Sequence, residues 1–122
     1  MKTPREVANL VIKAIRDNDI DLMVSLFNSA NRRKFLPLTG EKRKIMSKLR
    51  QNELKKIADV TEVQEIRKAP FYIRYDSIIV KVSQIGNDVH VIVLSKEDDG
   101  YFFEDFNILH VTDYQKLKIL DL

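Results

Sequence analysis

Residues 78–109, IIVKVSQIGNDVHVIVLSKEDDGYFFEDFNIL, decide how this chain folds. Ile78, Val80 and Val82 alternate with other residues, as do Val89, Val91 and Val93, at the period of two that suits a strand and not a helix. Ile85-Gly86-Asn87-Asp88 and Lys96-Glu97-Asp98-Asp99-Gly100 are turn sequences between apolar runs. Tyr101 to Leu109 then reads as the last strand of a hairpin-connected meander. Upstream, Val60 to Lys68 reads as a first strand and Phe71 to Tyr75 as a short one, separated by Ala69-Pro70, where proline argues for an edge or turn.

The chain before this run has a helical period. Thr3-Pro4-Arg5-Glu6 is a capping box with proline at the first helical position. Val7, Ala8, Val11, Ala14 and Ile15 continue one apolar stripe over 4–17. Asp17-Asn18-Asp19 breaks the stripe, and Asp19 caps a second helix over 20–28. A third helix is expected over 41–58, with Ile45, Met46, Leu49 and Ile57 facing inward and Lys44, Lys48 and Lys55 facing out. After the meander, Thr112 or Asp113 is placed to cap a short closing helix containing Tyr114, Leu117 and Leu120. Helices ahead of antiparallel strands predict one α+β domain over residues 1–122, its three N-terminal helices packed on one face of the sheet.

The chain has 122 residues and no cysteine, which removes disulfides and thiol catalysis. Its net charge of +3 is unevenly distributed. Residues 32–56 hold ten Lys and Arg against two acids, whereas residues 57–122 hold seven against twelve. Asn31 to Gly40 reads as a basic loop, and Arg32, Arg33 and Lys34 join Lys44, Lys48 and Lys55 as the candidate basic patch. Nucleic acid or anionic lipid are the partners such a patch would take, yet it holds a single aromatic, Phe35, for base stacking. A solvated helix face is the simpler reading. No apolar run approaches a membrane span, and the N-terminus lacks the apolar segment of a signal peptide. The expected location is cytoplasmic, or outside the cell for a domain whose leader has been removed.

Two stretches carry a resemblance. TPREVANLVIKAIRDNDIDLMVSLF resembles the start of nuclear-transport-factor-2-like (cystatin-like fold) domains, with their Pro-capped helix, acidic-Asn break and second helix ending in Leu-Phe. SKEDDGYFFEDF resembles their late hairpin, with Tyr101 where tryptophan is common. Within that superfamily the layout is most similar to small bacterial domains of unknown function related to lumazine-binding-like proteins. The resemblance implies a strongly curved, cone-shaped sheet around the first helix, an apolar pocket, and homodimers paired through the sheet. Isomerases, cyclases, dehydratases, ligand binders and structural domains all use this fold, so function has to be read from the site.

Tyr75, His90, Tyr101, Phe103 and Asp105 are the candidate pocket residues, with Glu104 and His110 as further polar neighbours. Asp105, His90 and Tyr101 are the catalytic candidates, because proton transfer needs a desolvated carboxylate or imidazole with a donor nearby. Strict alternation puts Asp105 on one face with Tyr101, Phe103 and Asn107, and His90 with Ile92 and Leu94. Which face points inward stays open, and with Phe102, Phe106 and Ile108 in the core Asp105 is simply solvated. The two histidines have no metal-ligand spacing, Asp98-Asp99-Gly100 lacks the ligands of a calcium loop, and no glycine-rich phosphate loop occurs, so neither metal nor cofactor is expected. Three functions stay open: a non-catalytic binding or interaction module for a small apolar ligand or partner, an enzyme using Asp105 or His90, and a basic-surface binder.

Overall fold

The computed structural model describes residues 2–35, 63–69, 77–98 and 100–120. The expected helix over 41–58, the strand over 71–75, Tyr75, Lys44, Lys48 and Lys55 lie outside the described residues. Within them the chain is α+β, with an antiparallel sheet of five strands.

Helix α1 runs Pro4–Arg16, and the Thr3 side chain accepts from the Glu6 N–H as the capping box requires. Asn18 ends it at φ 54°, a left-handed conformation that asparagine tolerates better than most residues. Asp19 caps helix α2, Ile20–Leu26, by accepting from the Leu22 N–H. This helix stops short of residue 28 because Phe27 turns extended and bridges to Phe103 of the sheet. Helix α3, Ser29–Phe35, replaces the loop expected from residue 31. The Asn28 side chain holds the Asn31 N–H, and Glu97 accepts from both the backbone and hydroxyl of Ser29, so the start of α3 is built by a strand 68 residues away.

The strands are β1, Glu65–Lys68; β2, Ser77–Ile85; β3, Asp88–Glu97; β4, Gly100–His110; and β5, Lys118–Ile119. Their order across the sheet is β4-β3-β2-β1-β5. One face packs Ile66, Val80, Ile92, Leu94, Phe103 and Phe106 against Val11 and Ile15 of α1, Met23 of α2 and Phe27 just after it. The opposite face buries Ile79, Val89, Val91, Val93 and Leu109 under Tyr114 and Leu117. Both faces therefore bury apolar side chains under elements of the same chain. Helix packing is likewise not confined to one face.

Tyr114 belongs to helix α4, Val111–Gln115, which is capped by His110 and not by Thr112 or Asp113. The His110 Nδ1 accepts from the Thr112 N–H, so the cap lies two residues before Thr112 and three before Asp113. Leu117 and Leu120 fall beyond this helix, because the chain straightens to form β5 against Arg67 and Lys68.

Arg67 fastens the C-terminal segment. Its guanidinium donates to the carbonyls of Tyr114, Gln115 and Leu117 at 3.1–3.3 Å and lies 4.4 Å from the centre of the Tyr114 ring. Its Nε pairs with Glu65, whose Oε1 also accepts from the Tyr114 hydroxyl at 2.7 Å. The hydrogen bond from Arg67 holds the Glu65 carboxyl below the usual carboxylate range, while burial pushes the Tyr114 phenol well up. Substituting Arg67→Met should lower unfolding stability by about 2–3 kcal/mol in urea titrations, since several acceptors lose their donor together. Arg67→Lys should recover little, because an ammonium cannot supply the planar fork. Glu65 has a depressed pKa in the folded state, so its contribution is present above the ordinary glutamate range and is lost as pH falls through the folded value. Acid titration of Glu65→Gln should accordingly lack that part of the stability loss.

Candidate functional site

The side chains in play are distributed by register. Across β2, β3 and β4, Ser83 faces His90 and His90 faces Ile108, while Ile85 faces Asp88. Residues directly opposite in an antiparallel pair point to the same side. His90 alternates with Ile92 and Leu94, so this set lies on the helix-facing side, at the end of the sheet near the β2–β3 turn. His90 therefore shares the face of Ile92 and Leu94, as alternation leads one to expect.

His90 is 3% exposed, and its Nδ1 has no hydrogen-bond partner among the described residues. The Ser83 hydroxyl opposite is also buried and, among the described residues, unpartnered. Ile85 and Ile108, 56% and 37% exposed, lie on the same face beside them. Two buried polar groups without partners thus sit next to two apolar side chains open to solvent. An unpaired buried group costs about 1–3 kcal/mol. Other buried polar groups of this protein are engaged: Asn28 donates to Ser95, and its carbonyl and side-chain oxygens both accept within α3.

Ser83, Ile85 and Ile108 were not foreseeable as companions of His90. The pairing slips between Lys81 and Ser83, which makes Val82 the extra residue and turns Ser83 to the face that alternation denies it. A second slip, opposite Val93 and Leu94, makes Glu104 the extra residue of β4. That slip overturns the expected company of Asp105. Tyr101 and Phe103 stay on the helix-facing side, whereas Asp105 and Asn107 point the other way, opposite Val93 and Val91. Asp105 is exposed, and its carboxylate accepts from the N–H of Phe106. It does not meet His90.

The remaining candidates are scattered. Phe103 is core, its ring centre 6.0 Å from that of Phe27 and 4.7 Å from that of Phe106. Tyr101 lies at the far end of the hairpin and lines a cleft of about 290 Å³ with Lys2, Val7, Ser25, Leu26 and Phe102. The Glu104 carbonyl accepts from Asn31, and His110 serves as a helix cap. Arg32, Arg33 and Lys34 are exposed on α3, with the Arg32 guanidinium 5.3 Å from the Phe102 ring centre. Among the described residues no group of three or more acidic, histidine or cysteine side chains could hold a metal, and no helix is long and apolar enough to cross a membrane.

Comparison with known proteins returned no matching family model, no matching curated protein and no matching solved structure.

The unpaired hydroxyl makes a sharp expectation. Ser83→Ala removes a buried group that has lost water and gained nothing, so it should leave stability unchanged or raise it by about 1 kcal/mol. Thermal or urea unfolding measures this directly, and a loss above about 1 kcal/mol would mean that Ser83 has a structural partner.

Proposed function

We propose that this chain is a non-catalytic binding module of the nuclear-transport-factor-2-like type, whose ligand site surrounds His90 on the helix-facing side of the sheet. The observation that carries the reading is the His90 Nδ1 and the Ser83 hydroxyl, both buried without a hydrogen-bond partner among the described residues, beside exposed Ile85 and Ile108. Folding alone favours replacing such a pair by apolar residues, so its presence supports a use in the bound state. Small-molecule sites combine this chemistry, an apolar wall with a few polar groups that lack protein partners. The order of elements, with α1 packed against a meander, supports the superfamily assignment.

An acid or base role for His90 has less support. A working imidazole is held by a carboxylate or carbonyl at its second nitrogen, and Asp105 is turned to the opposite face. The basic-surface reading rests, among the described residues, on Arg32, Arg33 and Lys34, of which Arg32 is already engaged with Phe102.

A fragment panel of small uncharged apolar molecules tests the proposal by NMR. Binding should move the His90 ring signals and the methyl signals of Ile85 and Ile108 together, and His90→Phe should abolish it. Perturbations confined to the Tyr101 cleft, or unchanged binding by His90→Phe, would reject this site.

A further inference from the structure

The cleft of about 290 Å³ at the β3–β4 end of the sheet is built by parts of the chain that are far apart in sequence. Val7 comes from the first turn of α1, Leu26 from the end of α2, and Gly100, Tyr101 and Phe102 from the start of β4. Gly100 has a role here that its backbone does not explain. It lies outside the left-handed region that Gly86 occupies at φ 58°, so its conformation is open to other residues. A Cβ built on Gly100 would instead meet the Phe102 ring, 3.1 Å from Cε2 and 3.3 Å from Cζ. The missing side chain lets that ring lie against the backbone as a wall of the cleft. From α3 the Arg32 guanidinium, 5.3 Å from the ring centre, attracts the same ring.

The polar groups of the cleft are donors without acceptors. The Lys2 ammonium and the Tyr101 hydroxyl make no side-chain hydrogen bond or ion pair among the described residues. Ser25 differs, since its hydroxyl already donates to the Leu22 carbonyl at 2.6 Å. Among the described residues no acidic side chain lines the cleft, and Arg32 adds a second cation beside its aromatic wall. Apolar walls with unspent donors take an anion that carries an apolar body. Size narrows the choice: a cavity of about 150 Å³ holds benzene, so 290 Å³ admits one ring or a fused pair with a short acidic arm. An ammonium and a phenol are two separate donors, which match the two oxygens of a carboxylate. A phosphate is better served by a guanidinium fork or a run of backbone N–H groups, and among the described residues neither lines the cleft. We infer that this cleft is a second binding site, for a small aromatic carboxylic acid whose carboxylate is held by Lys2 and Tyr101 and whose ring lies against Phe102, Val7 and Leu26. It is at the opposite end of the sheet from His90, and it stands or falls independently of the site proposed there.

Titration of the full chain with phenylacetate and with indole-3-acetate, followed by amide NMR at millimolar ligand, tests the inference. The signals of Val7, Gly100, Tyr101 and Phe102 should move together, while those of Ile85, His90 and Ile108 stay in place. Phenylacetamide, which has the same ring and no charge, should bind roughly fivefold more weakly than phenylacetate, the worth of one exposed ion pair at the upper end of its range. Lys2→Gln should weaken phenylacetate by about the same factor and leave phenylacetamide unchanged, whereas Lys2→Arg, which keeps the charge, should bind the acid as wild type does. Tyr101→Phe should also weaken the acid. Gly100→Ala should weaken acid and amide alike, because its methyl displaces the Phe102 ring; circular dichroism checks its fold, and Phe102→Leu tests the same wall should it not fold. Absence of shifts with both acids would overturn the inference. So would equal affinity for acid and amide, or acid binding untouched by Lys2→Gln, Tyr101→Phe or the change to the wall. Shifts gathered on Arg32, Arg33 and Lys34 would show attraction to the basic helix alone, and shifts gathered around His90 would assign the acid to the other site; either result would reject this cleft.

Discussion

A pleated strand sends successive side chains to opposite faces, and the arrangement of this molecule depends on where that rule is interrupted. Among the described residues the pairing slips twice, at Val82 in β2 and at Glu104 in β4. Each extra residue exchanges the faces for the rest of its strand. At Val82 the exchange puts Ser83 beside His90 on the helix-facing side. At Glu104 it keeps Phe106 in the core beside Phe103 and turns Asp105 outward. Without the second bulge, Phe106 would leave the core and Asp105 would enter it. Burying Phe106 against Phe103, ring centres 4.7 Å apart, while keeping the carboxylate in water favours the bulged register strongly.

The same constraint explains what could be read from the residues in advance. The capping box at Thr3, the Asn18 break, the Asp19 cap and the turns at Gly86 and Asp98 are encoded within a few neighbouring residues, and they appear as expected. Elements that depend on distant partners do not appear in the sequence pattern. Helix α3 starts where it does because Glu97 and Asn28 receive its first N–H groups. The C-terminal helix ends and β5 begins because Arg67 collects three carbonyls there. Of the candidate site, His90 and its face were legible from the run Val89 to Val93. Ser83 and the outward turn of Asp105 were not, since a bulge inserts one residue without any change in composition or periodicity that marks it.

Polar groups inside the sheet divide into two kinds. Near the β3–β4 turn, Asn28, Ser29, Ser95 and Glu97 form a closed network in which each buried group meets another and the helix start is fixed to the hairpin. At the opposite end, the His90 Nδ1 and the Ser83 hydroxyl face one another with no such closure among the described residues. Hydrophobicity cannot account for the difference, because both ends bury comparable polar side chains beside apolar ones. The closed end needs its network, since α3 would otherwise begin on unpaired amides. No backbone element depends on the His90 side chain among the bonds made by the described residues, which is why it stands out as chemistry that folding does not require.

Asp105 illustrates why a titratable residue on a promising strand has to be placed before it is given a role. Its position in a run of aromatics marks it as a carboxylate in an apolar setting, the environment in which acid–base catalysis is sought. One inserted residue moves it to the wet side of an edge strand, where its oxygen accepts from the next amide. Asn107 repeats the arrangement two residues later with a neutral side chain. That repetition is informative. Asp and Asn share an acceptor oxygen and differ in charge, so the property common to both positions is the ability to occupy an outward N–H, and neither proton transfer nor attraction for a cation can be what the pair has in common.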